Sequence, residues 1–550
     1  MDDFIKRVGV TIENEYTRLE GLISHEDQAR KLKACAYVKH RDCYQGTKVV
    51  PVKLYSGIPK NYFENISKGL VEYLTPKSGG WFRLLPPIAR SLDPSMVAEN
   101  NAELKALEAM TNFVDAVIID SNYHSEMLKS IKDWFCSGTG HLSKDKNKDR
   151  SGKISFRNED PQQVVFDVDQ FGLVNCYIKK FFLTERECVR LFGYETVRDE
   201  KQRKDNPDSK LTLYEIVCDK TQYLYDTKEN EYFDFSDRIG KYVHFVWCTE
   251  RGKMFANDSF REMPMYTFRR DVDNSDCLCG HGIIEDNLED IIIFNDMMNL
   301  RQIGFQKNAN PPMAAPMALY GKMDVRPYAV NYVPDMSQRP VPLLNGMNYS
   351  QMLNDIQDMK ESLKESLGVN IFVPVINSND SRKTAYEVSE LKNDSMVLMA
   401  QSIGDIKREL LEPMIKDILK DYYKEYAEEN IPNFEPYIDS LRVELNSIFV
   451  QRLNAYFKRN ALTQVITTTV QIGSVYSGVY DVVDFEKMFR LYCVSEGLSS
   501  SLIRSPEEIQ AIKEQQQQMA MMQMQAQVNK DNAAAMNSMA QAQQQEETLA

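Results

Sequence analysis

The sequence predicts an α+β protein, mainly helical, with a strand-rich block set between two helical regions. Three observations lead to it. Before residue 136 and after residue 283, apolar residues recur at three- and four-residue steps, the period of a helix with one buried face. Between 153 and 270 the period drops to two, as in half-buried strands. Between 309 and 349 proline is dense enough to forbid a helix while helical periodicity stands on either side.

Taken in order, residues 1 to about 130 read as mostly helical. Glu13 to Leu32 carries charges at helical spacing. An extended stretch follows, then a helix near Tyr62 to Leu74 ends in LTPKSGGWFRL, where Pro76, Gly79 and Gly80 break it. Residues 99–136 form one or two amphipathic helices ending near Trp134, and Gly138 to Gly152 reads as a polar, lysine-rich loop. Strands are expected at ISF, QVVFDVD, LVNCYIKKFFL, LTLYEIV and YVHFVW, with polar turns such as Asp205 to Ser209 and a short helix, TERECVRLFG, among them. Asp167 and Asp169 stand before Gly172, where aspartate is favoured for bonding turn backbone.

Residues 283–307 read as one long helix, with Leu288, Ile291, Ile292 and Met298 on one stripe. Pro311, Pro312, Pro316, Pro327, Pro334, Pro340 and Pro342 then predict short strands and turns. Residues 351–367 return to helix, with Met352, Leu353, Ile356, Met359, Leu363 and Leu367 at three- and four-residue steps. The loop GVNIFVPVINSNDSRK precedes a helix whose start is marked by a T-x-x-E box, Thr384 and Glu387; it runs to about Tyr426 with a kink expected at Pro413. Two more helices are expected over about 450–500. From Pro506 the chain is rich in Gln, Met and Ala, which is compatible with low complexity but also suits a helix to about residue 530. A helical tail of about 40 residues would reach roughly 60 Å and would be marginal alone, which points to an oligomer.

Composition narrows the function. At 550 residues, a prior of about 150 per domain suggests three or four units. The 43% hydrophobic content is enough for a sizeable core. A net charge of -14 argues against a general nucleic-acid coat, which needs clustered Lys and Arg, but not against a protein that lets DNA slide past. The ten cysteines are scattered, which suits a reducing compartment rather than a disulfide framework. Cys277, Cys279 and His281 lack a second ligand pair at zinc spacing, so ordinary thiols are expected there and no metal or cofactor is implied. No secretory leader is expected from MDDFIKRVGV, and no apolar run of about 18 residues suggests a membrane span.

No nucleotide-binding glycine loop, H-E-x-x-H or G-x-S-x-G occurs, so no catalytic residue is assigned. A metal-dependent nuclease built on Asp167/Asp169 or Asp271/Asp273 is the enzyme reading; solvated carboxylates beside turns account for these pairs better. The informative feature is an arrangement between 283 and 426: helix, proline-rich insert, helix, polar loop, capped helix. Alone it describes a helical hairpin with an elaborated tip, and the polar loop with Arg382 and Lys383 reads as a solvated surface loop.

The order of these segments resembles the podophage head-to-tail connector (portal) family over about residues 60–520. The resemblance is carried by LTPKSGGWFRL (74–84), WFCSGTGHL (134–142), FDVDQFGLVNCYIKKFFLTERECVRLFG (166–193), GHGIIEDNLEDIIIFNDMMNLRQ (280–302), RKTAYEVSELKND (382–394) and GLSSSLIRSPEEIQAIKEQQQQ (497–518). Each is weak alone; their common order is the signal. It implies a portal-type fold: a β-rich wing (1–280), stem helices (281–308 and 351–369) packing through Leu288, Ile291, Ile292, Met298, Ile356, Met359 and Leu363, and a clip (309–350). It further implies a tunnel loop (370–383), a long kinked tunnel helix (384–429), a crown (430–505) and a C-terminal barrel helix (506–550). The implied function is a dodecameric ring at the unique portal vertex of the virion, assembled in the host cytoplasm, through which double-stranded DNA is packaged and ejected without sequence preference. Implied partners are the terminase large subunit, tail adaptor and tail proteins, and capsid and scaffold proteins, with no membrane. The loop Asn377, Ser378, Asn379, Asp380, Ser381, Arg382 and Lys383 would face the DNA, with Thr384 and Glu387 capping the helix behind it. Another helical virion or adaptor ring protein is the alternative.

Overall fold

A computed structural model describes residues 2–39, 52–87, 102–145, 153–198, 208–272, 277–309, scattered positions from 312 to 342, 349–369, 401–426, 435–446 and 521–522, with 24 and 222 excepted. The chain divides into two units, 1–450 and 451–550. Of the second, residues 521–522 are described, and they are helical.

Helix α1 (Asp2–Leu22) buries Val8, Ile12, Tyr16 and Leu19, a three-to-four-residue stripe. It lies on a five-stranded antiparallel sheet whose strands run, in spatial order, Lys253–Phe260, Tyr242–Cys248, Lys210–Asp219, Val174–Thr184 and Val164–Val168. Contact is close: a Cβ on Gly9 would fall 2.3 Å from the Trp247 ring. The Trp247 indole donates to Glu13 Oε1 at 2.8 Å. Then follow α2 (His25–Lys39), α3 (Ile58–Leu74), β1 (Phe82–Leu85), α4 (Ala102–Asp120) and α5 (Tyr123–Ser137). The break after α3 is as expected, with Gly79 and Gly80 both at positive φ before the buried Trp81.

The strand block contains β2 (Thr139–Lys144), β3 (Phe156–Glu159), β4 (Val164–Val168), β5 (Val174–Thr184), α6 (Glu185–Phe192), α7 (Tyr194–Val197), β6 (Lys210–Asp219), β7 (Tyr225–Asp226), β8 (Glu231–Tyr232), β9 (Tyr242–Cys248), β10 (Lys253–Phe260) and β11 (Met265–Arg269). One face of the large sheet packs on α1 through Ile178, Ile216, Val243 and Phe245. The other carries α6 over Leu213, Val246 and Cys248. A second sheet, β11-β2-β3, rests on α5. The β4–β5 turn behaves as read: Asp169 Oδ1 accepts from the Phe171 and Leu173 amides at 2.8 and 2.9 Å.

One expectation fails in this block. The polar loop placed at 138–152 begins instead with β2, the central and buried strand of the small sheet. Its polar residues misled because their partners are distant in sequence: Lys144 reaches Asp417 at 2.6 Å, and His141 Nδ1 lies 2.8 Å from Thr267 Oγ1.

Beyond the block, α8 (Ile283–Asp286) and α9 (Leu288–Ala309) replace the single helix expected over 283–307, with Asn287 between them. Strands β12 (Met313–Ala314) and β13 (Val341–Pro342) pair antiparallel within the proline-rich segment. Helix α10 (Tyr349–Ser366) follows and packs on α9. Residues 401–406 are helical, Lys407–Leu411 form a π turn, and α11 (Glu412–Tyr426) continues. The irregularity expected at Pro413 is thus centred one turn earlier. Proline has no N–H to give the carbonyl four residues back, and the wider turn ends just where that bond is missing. A 3-10 turn (Glu435–Ser440) leads to β14 (Arg442–Leu445), which pairs with β1 from the far end of the unit.

Candidate functional site: a helical hairpin and its collar

Helices α9 and α10 pack against each other as a hairpin over the two segments that the family resemblance assigns to a stem. Of the residues read as its packing, Leu288, Ile291, Ile356 and Leu363 are buried, whereas Ile292, Met298 and Met359 are half-buried. At the base, Phe294 and Asn295 join the buried set. Past Met298, Gly304 is the buried residue of α9, while Leu300, Ile303 and Phe305 are 54%, 38% and 63% exposed. Ile293, Met313, Met317, Val341 and Leu353 are exposed as well. A run of large apolar side chains left in water along one hairpin marks a surface built for contact.

The base is held by a collar of polar contacts. Asn295 Oδ1 accepts from the Tyr55 amide at 2.9 Å and its Nδ2 donates to the Lys53 carbonyl at 3.1 Å, so one buried amide fastens residues 53–55 to α9. Arg30 of α2 grips Glu289 with both terminal nitrogens, at 2.8 and 2.9 Å, and donates to the Glu285 carbonyl at 3.1 Å. The two-pronged geometry suits guanidinium and carboxylate, and Arg30 holds Glu289 below the usual carboxylate range. Within α8, Glu285 Oε2 accepts from the Gly282 amide at 3.2 Å. The acidic first turns of both helices complement their positive N-terminal dipole ends.

The collar closes at a backbone crossing. Gly138 ends α5 in the left-handed conformation, and a Cβ there would fall 2.2 Å from the Gly280 carbonyl carbon. A Cβ on Gly282 would fall 2.3 Å from the Cys136 carbonyl oxygen. G-T-G at 138 and G-H-G at 280, remote in sequence, are therefore one joint. The Arg270 amide donates to the Gly138 carbonyl and the His281 amide to the Arg270 carbonyl, both at 2.8 Å.

A second polar cluster joins the small sheet to α11. Lys144 meets Asp417 and Asp421 at 2.6 and 2.5 Å, and the Tyr266 hydroxyl donates to Asp417 at 2.5 Å. Burial alone would lower Lys144, but the two carboxylates outweigh it and hold the ammonium above its ordinary value. Burial pushes His141 the other way, down to about 4, with Asp133 opposing weakly.

Asn295, Arg30, Arg270 and the glycine joint were not read from sequence as parts of the site. The paired glycine motifs were the available signal. The loop Asn377 to Lys383 and its cap, Thr384 and Glu387, lie outside the described residues, as do most of the proposed crown and barrel. Among the described residues no group of three or more His, Cys, Asp and Glu could hold a metal, and no helix is long and apolar enough to cross a membrane.

An α+β body that clamps the foot of a projecting helical hairpin, and leaves the hairpin's outer apolar surface bare, has the build of a structural connector. The chain matches the family model described as bacteriophage head to tail connecting protein over residues 18–503 and belongs to that family. It is 21% identical over 472 residues to the portal protein of Salmonella phage epsilon15, covering 82% of this chain and 80% of that one. It is also 21% identical over 460 residues to the probable portal protein of Bordetella phage BPP-1, with the same coverage. Its function is that of a phage portal, the protein that connects head to tail.

Proposed function

We propose that the chain acts as a dodecameric ring whose central channel passes double-stranded DNA during packaging and ejection. The observation that carries this reading is the bare apolar surface of the outer stem. Leu300, Ile303 and Phe305 gain burial when a neighbouring copy packs against the hairpin. In a closed ring of one subunit type each interface joins two different surfaces, so a stem needs contact faces on both sides. Exposed α10 residues Asp355, Asp358, Glu361 and Glu365 repel phosphate, which suits a conduit that must not trap its cargo.

In this reading residues 309–350 are the clip. Their prolines pre-set extended backbone and leave carbonyls free, favouring docking of the terminase large subunit and later the tail adaptor at low entropic cost. The loop Asn377, Ser378, Asn379, Asp380, Ser381, Arg382 and Lys383 lines the channel. Its two cations precede a helix start, where the dipole disfavours them, and weak, salt-screened phosphate contacts supply their partner. Thr384 and Glu387 fix where the helix begins. Residues 430–505 form the crown and 506–550 the barrel.

Negative-stain images and native mass spectra of the full chain test the ring. Wild-type protein is expected as rings with a central hole and Leu300→Glu as monomers with unchanged far-UV circular dichroism. Monomers of wild type at high concentration, or intact rings of the variant, would overturn the stem-centred reading.

A further inference from the structure

Strand β11 ends at Arg269, and Arg270 follows it in a bend; the two side chains reach different partners. Arg269 faces the π turn that precedes α11. Its amide donates to Glu409 Oε2 at 2.8 Å and its Nη2 to Glu409 Oε1 at 2.7 Å, with a third bond to the Gly172 carbonyl at 2.7 Å. The Arg269 and Glu409 side chains are each 7% exposed, and Arg269 Nε is buried without a hydrogen-bond partner. The attachment therefore depends on Glu409 and Gly172. Arg270 faces the stem. Its Nη1 donates to the His281 carbonyl at 2.9 Å and to Asp286 at 2.8 Å, in the first turn of α8. The backbone at the two grips is held on both sides. Arg269 pairs with Thr139 of β2, and the Arg270 backbone bonds Gly138 and His281 on its two sides.

We propose that Arg269 and Arg270 are positioning residues that couple two helices of the portal. Arg269 holds the π turn through Glu409, Arg270 holds the stem's first turn through Asp286, and a displacement of either helix is passed to the other through the end of β11. The π turn supplies the element that can move. It holds one residue more than an α turn, so converting it would slide residues 401–406 by about 1.5 Å and rotate them by about 100°. Glu409 sits in the middle of that turn and cannot keep both bonds to Arg269 through such a change. A packed, hydrogen-bonded chain with a bistable element at one end is the physical requirement for transmission. The second grip, at Asp286, makes the effect reciprocal, because coupling between two equilibria acts equally in both directions.

The inference rests on reading α9 as the stem, and its test separates the two. Amide hydrogen exchange is measured on the full-length wild type, Glu409→Gln, Asp286→Asn and the double variant, with ring formation scored on the same preparations by electron microscopy. Coupling predicts that Glu409→Gln speeds exchange in residues 283–295, and Asp286→Asn speeds it in 401–411, each by at least about fivefold, the lower end of measured couplings. The double variant should exceed neither single effect. Because Glu409→Gln leaves a buried guanidinium with a weakened partner, Arg269→Met/Glu409→Leu is included. Apolar replacement of a buried ion pair is commonly tolerated, and this pair of changes should still speed exchange in 283–295, which a merely stabilising role would not. Exchange that changes only beside each substitution overturns the coupler. Wild-type protein without rings would overturn the stem assignment instead, and the exchange data would still decide the coupler.

Discussion

Gly138 and Gly280 meet backbone to backbone: a side-chain carbon on Gly138 would lie 2.2 Å from the Gly280 carbonyl carbon, where no rotamer change relieves it. Gly138 also has φ +73. Gly138→Ala should therefore combine left-handed strain with a backbone clash, a cost of about 2–5 kcal/mol. Gly80 is the control, with φ +74 and nothing within 4 Å of a built Cβ. Gly80→Ala should cost only the strain, about 1–2 kcal/mol. Urea midpoints of the two variants decide it, and equal midpoints would mean that the crossing yields freely.

How legible such features are depends on how far apart their partners lie. Strands β4, β5, β6 and β9 and the helix TERECVRLFG rest on local periodicity and were readable. Strand β2 was not, because a buried lysine looks like a surface lysine until Asp417, more than 270 residues later, is placed beside it. The apolar stripe of α9 was readable: Leu288 and Ile291 are buried and Met298 is half-buried. Asn295 and Arg30 gave no signal, since a polar residue on a helix is ordinarily solvated.

Burial of His141 has a consequence for pH. Its ordinary value is 6.5 and its folded value is about 4, so the unfolded chain takes up a proton first. Stability from the neutral imidazole is complete above about pH 6.5 and is lost as pH falls toward 4. At about 1.4 kcal/mol per pH unit the loss approaches about 3 kcal/mol. His141→Asn keeps a polar atom near the Nδ1 position, facing Thr267, and does not titrate. Urea unfolding across this range should show a flatter pH dependence for the variant; a slope equal to wild type would remove His141 as its source.

Thr184 and Glu187 form a reciprocal cap at the start of α6. The Thr184 amide and hydroxyl both donate to Glu187 Oε2 at 2.8 Å, and the Glu187 amide donates back to the Thr184 hydroxyl at 3.4 Å. Thr184→Ala should cost about 1 kcal/mol. The effect should be local, with faster amide exchange in Glu185–Phe192 and unchanged exchange in β5. A uniform change across the large sheet would show that α6 is not an independently fraying element.

Asn295 carries the last prediction, because it ties the foot of the α9–α10 hairpin to a segment more than 200 residues earlier. A side chain that both accepts and donates is needed, since its partners are the Tyr55 amide and the Lys53 carbonyl. Asn295→Leu matches the volume but strands both groups, at a cost of about 1–3 kcal/mol. Asn295→Asp keeps the acceptor for the Tyr55 amide and sets a carboxylate against the Lys53 carbonyl, so it repairs one bond and opposes the other. Both variants should free residues 53–55 from α9 while α9 stays packed on α10 through Ile356 and Leu363. Tryptic cleavage after Lys53 reads this directly, rising about tenfold for each 1.4 kcal/mol lost from the closed form. Cleavage after Lys307, beyond the collar, should not change. A rise at Lys307 equal to that at Lys53 would mean that Asn295 stabilises the hairpin as a whole rather than clamping its foot.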